Sequence, residues 1–138
     1  MVVTSRETKE AAFAAIDRRL RKILEPLRST LVATRDGPGG LTLEIPGLEG
    51  KPWGYVAAVR PGKRYVSFYL MPVYADPGLL ASMTPQLRHR MQGKSCFNFT
   101  TVDERLFLEL EQITHASVQP FVARAQNRAS EKPPGRSR

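Results

Sequence analysis

The segment W-G-Y-V-A-A-V-R-P-G-K-R-Y-V-S-F-Y-L-M-P (residues 53–72), followed after an insert by G-K-S-C-F-N-F (residues 93–99), decides the fold of this chain. Side chains alternate across an extended strand. From Lys63 to Met71, Val66, Phe68 and Leu70 therefore point one way, and Tyr65, Ser67, Tyr69 and Met71 the other. From Ser95 to Phe99, Phe97 and Phe99 point one way, and Cys96 and Asn98 the other. Burying each aliphatic or Phe side chain is worth about 1.5–3 kcal/mol, which sets the register firmly. Trp53–Arg60 reads as the preceding strand, with Pro61-Gly62 as its turn.

Working outward, Leu41, Leu43 and Ile45 alternate with Thr42 and Glu44, the period of a half-buried strand. Ser29–Arg35 is a further strand, rich in Thr, Leu and Val. Between them, Asp36-Gly37-Pro38-Gly39-Gly40 is a hairpin turn. It lacks the Lys-Ser/Thr ending of a phosphate-binding P-loop, and no helix follows it. Turns this short cannot carry a parallel crossover, so the strands form an antiparallel meander.

Helices flank the strands. Phe13, Ile16, Leu20, Ile23, Leu24 and Leu27 make one apolar stripe over Glu7–Leu27, with Thr4 and Glu7 at capping-box spacing and Pro26 near the end. Asp76-Pro77 and Thr84-Pro85 each place a capping residue before proline, predicting short helices over Asp76–Met83 and Thr84–Gln92, the second stopped by Gly93. Thr101 and Glu104 form another capping pair, opening a helix from Val102 to about Thr114 through Leu106, Phe107, Leu110 and Ile113. A further helical stretch runs from Ala116 to Arg128, interrupted or started by Pro120. The expected fold is α+β: an antiparallel sheet of about five strands, with the N- and C-terminal helices packed on one face. Residues 1–128 form a single domain, and Ala129–Arg138 a disordered tail.

That fold leaves Tyr65, Ser67, Tyr69, Cys96 and Asn98 together on the face away from the helices. Hydroxyl-bearing rings beside an amide suit an apolar ligand with one or two polar groups, or base stacking. The same face could instead pack on a second subunit or stay wet. Cys96 with Lys94 nearby has no placed histidine or acid, so no nucleophile, base and orienting group can be assembled into an enzyme.

The chain carries a net charge of +8, which favours anionic partners such as nucleic acid or phosphorylated ligands. Arg18, Arg19, Arg21, Lys22 and Arg28 lie mostly off the apolar stripe of the first helix, the pattern of a solvated face; Arg88-His89-Arg90 reads likewise. A lone cysteine excludes an intramolecular disulfide and a Cys-based zinc site. No apolar run approaches the roughly 20 residues that cross a bilayer, and the N-terminus has no apolar signal core. A reducing cytoplasm is the simplest location.

Val66, Ser67, Phe68, Tyr69 and Pro72, followed by Gly93, Lys94, Cys96, Phe97 and Phe99, resemble the YdhG-like domain-of-unknown-function family. The likeness covers about Leu41 to Thr114 and rests on hydrophobic and turn residues. It departs at Leu43-Glu44-Ile45-Pro46-Gly47, where that family often has a Tyr-Gly-x-Pro run. The resemblance implies a compact α+β fold. Some members are described as frataxin-like intracellular iron chaperones, which hold iron through surface carboxylates. Here the acids that cluster are Asp103, Glu104, Glu109 and Glu111, with Asp103 and Glu104 equally suited to the first turn of a helix. The function expected is small-ligand or protein binding through the sheet face, with iron binding and nucleic-acid association as alternatives and homo-oligomerisation open.

Overall fold

The computed structural model describes residues 5–130. Its elements are α1 (Ser5–Leu24), β1 (Val32–Gly37), β2 (Gly40–Glu44), β3 (Tyr55–Pro61), β4 (Val66–Leu70), α2 (Met71–Ala75), α3 (Pro85–Arg88), β5 (Met91–Gln92), β6 (Cys96–Phe99) and α4 (Glu104–Ser130). All six strands pair antiparallel in the order β1-β2-β3-β4-β6-β5. Short turns join β1 to β2 and β3 to β4, a longer loop over residues 45–54 joins β2 to β3, and the insert between β4 and β6 supplies the edge strand β5.

The alternation read from the sequence holds in β4 and β6. Val66 pairs with Phe99 and Phe68 with Phe97, which puts all four on one face; Ser67 pairs with Asn98 and Tyr69 with Cys96 on the other. The first set, with Leu41, Leu43, Ala57, Val59 and Leu70, joins Ile16, Leu20, Ile23 and Leu24 of α1 and Leu106, Phe107 and Leu110 of α4 in one core. The Phe99 and Phe107 rings meet edge to face at 5.0 Å, fastening α4 to β6. Both long helices thus cover one face of the sheet.

Several boundaries differ from expectation. α1 ends at Leu24 and a 3-10 turn follows over Glu25–Ser29, because Pro26 cannot continue the α-helical ladder but suits the start of a new turn. The capping pair with Thr4 lies outside the described residues. Trp53 is not in a strand: it sits in a 3-10 turn, Pro52–Gly54, and is exposed. The insert begins one step earlier than expected, with α2. Asp76 and Thr84 do cap, accepting from Gly78 N and Leu87 N, but the first segment is a 3-10 helix (Pro77–Ser82) and the second is the single turn α3. Gly93 does not stop a helix; it lies in the turn between β5 and β6. Asp103, rather than the Thr101–Glu104 pair, caps α4, its Oδ1 accepting from Leu106 N at 3.4 Å.

α4 also runs unbroken through Pro120. An interior proline costs about 3 kcal/mol in an isolated helix. Here Val118 and Ala125 are buried on either side of it, while Pro120 and Ala116, whose carbonyl loses its helical partner, face solvent. Packing of the apolar stripe keeps the helix continuous, and water can reach the freed carbonyl. Ala129 and Ser130 belong to this helix rather than to a tail; residues 131–138 lie outside the described residues.

Arg19 clasps α1 to α4. Its Nε donates to both Glu104 carboxylate oxygens at 3.0 Å and its Nη2 to Glu111 Oε1 at 2.8 Å. Hydrogen bonding from Arg19 holds the Glu104 carboxyl below its ordinary range, and the carboxylates hold the guanidinium above its own. Folded Glu104 takes up its proton less readily than the unfolded chain does. The stabilisation is therefore present above the unfolded carboxyl value, about pH 4.3, and is lost as pH falls through the lower folded value. Glu104 is 54% exposed, so solvent screening limits the pair to below about 1 kcal/mol. In Arg19→Gln, the Glu104 carboxyl followed by carbon NMR should titrate at a higher pH; an unmoved titration would refute the clasp.

Candidate functional site

The face away from the helices is built from a floor of small side chains and a rim of large ones. Thr42 of β2, Ala58 of β3 and Ser67 of β4 form the floor and are buried although no core residue lies above them. Arg60, Tyr65, Tyr69, Cys96 and Asn98 stand around them, half-buried. Tyr65, Ser67, Tyr69, Cys96 and Asn98, the residues singled out by alternation, come together with Gln92 of β5 around a shallow hollow of ≈ 300 Å³.

Asn98 organises this hollow. Its Oδ1 accepts from Ser67 Oγ at 2.6 Å and from Cys96 Sγ at 3.3 Å, and its Nδ2 donates to Gln92 Oε1 at 2.7 Å. The amide is thereby fixed, leaving its second N–H and the Gln92 amide N–H groups as donors. Burial, then the neighbouring Cys96 thiol, holds the Tyr69 hydroxyl above the ordinary phenol value, so it stays protonated at neutral pH. Cys96 has an amide oxygen as its hydrogen-bond acceptor, not a base.

Tyr55 belongs to the same face, which alternation alone does not predict. Counting by twos from Ala57 would send Tyr55 into the core. A β-bulge intervenes: Leu43 pairs with Ala57 but the next residue, Glu44, pairs with Tyr55. Val56 and Ala57 both join the core, and Tyr55 turns to the open face beside Glu44. Burial raises its hydroxyl pKa, with Arg60 opposing. Arg60, Thr42 and Gln92 were also missed. The first two follow from extending the alternation of β2 and β3 to their polar members; Gln92 depended on a two-residue strand that carries no periodic signal.

The other candidates lie elsewhere. Glu104 and Glu111 are held by Arg19, Glu109 accepts from the backbone N and Oγ1 of Thr84 at 2.7 Å each, and Asp103 caps α4. Among the described residues no group of three His, Cys, Asp or Glu side chains is placed to hold a metal ion. His115 Nε2 lies 2.9 Å from the Ile23 carbonyl oxygen, tying α4 to the end of α1, and His89 is exposed beside α3. Among the described residues no helix is long and apolar enough to cross a membrane.

Taken together, the fold defines a mixed α+β protein with a meandering antiparallel sheet, helices on one side and a polar aromatic face on the other. No family model, curated protein or solved structure matches the chain.

Proposed function

We propose that this chain is a binding module whose open sheet face receives a small ligand, and that it stands beside the YdhG-like domains on the residues that carry that likeness. The observation that supports this reading is the Ser67–Asn98–Gln92 network, with Cys96 and the ring of Tyr69 beside it, on a face the helices leave free. A sheet face meant only to be wet has no need of an amide locked by three partners. Fixed donors flanked by aromatic rings orient a polar group while the rings cover its apolar body. The Cys96 thiol has no base among its hydrogen-bond partners, which favours binding over nucleophilic chemistry.

A fragment screen followed by two-dimensional NMR provides the test. Aromatic fragments with one hydrogen-bond acceptor should shift the backbone signals of Tyr69, Cys96 and Asn98. Tyr69→Ala should weaken such binding about ten-fold, since loss of one stacked ring costs on the order of 1–3 kcal/mol. Shifts confined to the separate hollow by Val73, Tyr74, Leu80 and Met91 would move the site there. Shifts at Tyr69 and Asn98 that depend on protein concentration, with no fragment present, would make the face a subunit interface instead.

A further inference from the structure

Sorting the cations of the chain by their partners points to the chemistry of that ligand. Three arginines at the helical side of the sheet are already neutralised. Arg19 is taken by Glu104 and Glu111, Arg21 by Asp17 and Asp36, and Arg28 by Glu25 and Asp36. On the open face two arginines converge without such a partner. Among the described residues, neither Arg35 nor Arg60 has a carboxylate within ion-pair distance.

These two residues flank one position. Arg35 pairs across the strands with Thr42, and Arg60 Nη1 donates to Thr42 Oγ1 at 2.9 Å from the other side. Both side chains reach the glycine turn between β1 and β2. A Cβ added at Gly39 would stand 3.6 Å from Arg35 Nη1, and one added at Gly40 would stand 3.1 Å from Arg60 Nη1. The turn is thus no P-loop, yet both guanidiniums lie beside it; the glycine at 40 is itself required by its positive φ and by the Val59 carbonyl oxygen, 2.4 Å from an added Cβ. Glu44, the acid nearest along β2, does not neutralise them: its carboxylate accepts from Thr34 Oγ1 and Gly50 N, toward β1 and the following loop. Arg60 is half-buried and donates to a neutral hydroxyl, a position in which a charge gains from a counter-ion. Tyr55 and Tyr69 are close enough to Arg60 for its charge to act on their hydroxyls.

We infer that Arg35 and Arg60 seat the dianionic head of a small phosphate monoester over Thr42, with the planar body of the ligand lying along Tyr55 and Tyr69 toward Asn98. This rests on the reading of the face as a ligand site. Guanidinium forks match phosphate oxygens bidentately, and with one Nη1 proton of Arg60 given to Thr42, its Nε and Nη2 protons remain. Two cations without an internal acid suit two negative charges better than the single charge of a carboxylate.

The test uses the full chain labelled with nitrogen-15, reading the arginine Nε–Hε signals during titration with inorganic phosphate, acetate and phenyl phosphate at constant ionic strength. Phosphate should shift Arg35 and Arg60 saturably, and acetate should bind about ten-fold more weakly. Arg35→Gln, an exposed change that leaves the core untouched, should weaken phosphate about ten-fold, and Arg60→Gln at least as much. Absence of saturation at millimolar phosphate, equal affinity for acetate, or an Arg35→Gln protein that binds as before would overturn the inference. Phenyl phosphate should bind more tightly than phosphate and also shift Tyr69 and Asn98. If it binds no tighter, the anion seat stands and the reading of the tyrosine face fails. If neutral aromatic fragments shift Tyr69 while phosphate does nothing at Arg60, the reverse holds. Affinity that rises with the length of a single-stranded oligonucleotide and falls steeply with salt would replace the small ligand by nucleic acid.

Discussion

Phe107→Ala should lower the unfolding free energy by about 3–5 kcal/mol, the usual cost of truncating a fully buried phenylalanine. That is a large share of the roughly 5–15 kcal/mol by which domains are stable, so the variant should unfold at markedly lower denaturant. The physical reason is local. Phe107 is fully buried and meets Phe99 edge to face at 5.0 Å, and this contact joins the closing helix to the strand that carries Cys96 and Asn98. Neither cavity wall can collapse easily, because one is a sheet and the other a long helix. A double-mutant cycle with Phe99→Ala should return a coupling of about 0.5–1.5 kcal/mol for the ring pair. Additive losses would mean that the two rings do not interact specifically. The asparagine network should loosen in the same variant, seen as faster amide exchange at Asn98, since β6 would lose its backing.

Gly54→Ala should cost about 1–3 kcal/mol although it adds one methyl group, because that group would overpack against backbone. The added Cβ would lie 2.1 Å from the Leu48 carbonyl oxygen and 2.8 Å from its carbonyl carbon and Cβ. Backbone cannot yield as a flexible side-chain tip does. Gly54 is also tied in place, its N donating to Lys51 O at 2.9 Å and its O accepting from Ile45 N at 2.8 Å. Relief therefore requires the loop over residues 46–54 to move, and Tyr55 is the next residue along. The variant should both melt earlier and shift the ring signals of Tyr55. Gly37→Ala is the control: nothing lies within 4 Å of its added Cβ, and the change should stay within about 0.5 kcal/mol. Equal stability of the two variants would show that the approach to Leu48 is not as close as described.

The extent to which the candidate face was legible follows from where periodicity operates. β4 and β6 carry no bulge, so counting by twos placed Tyr65, Ser67, Tyr69, Cys96 and Asn98 on one side without further help. β3 carries a bulge against β2, and a single extra residue reverses the side on which Tyr55 emerges. Nothing in the local run Y-V-A-A-V announces that, since every residue in it tolerates either environment. β5 was hidden for a different reason. Two residues have no period, and Met91–Gln92 are a strand only because β6 is there to pair with.

The helices divide along similar lines. Apolar spacing located α1 and the first half of α4, and Asp76 and Thr84 cap where the Asp-Pro and Thr-Pro pairs said they would. Local chemistry also argued for a break at Pro120, and there tertiary packing of Val118 and Ala125 outweighed it.

By itself, the sequence determined the class of fold, the antiparallel meander of its first four strands and the two sides of β4 and β6, because those depend on alternation and turn chemistry that act within a few residues. The tertiary structure alone decided which charges are spent and which are available. Arg19 meets Glu104 across 85 positions of chain, Arg28 meets Asp36 around a turn, and Arg35 and Arg60 are brought to Thr42 from separate strands with no acid among the described residues to meet them. A net charge of +8 counts all of these alike. Coulomb attraction depends on distance in space rather than along the chain, so only the folded arrangement separates an arginine that holds the protein together from one left to hold something else.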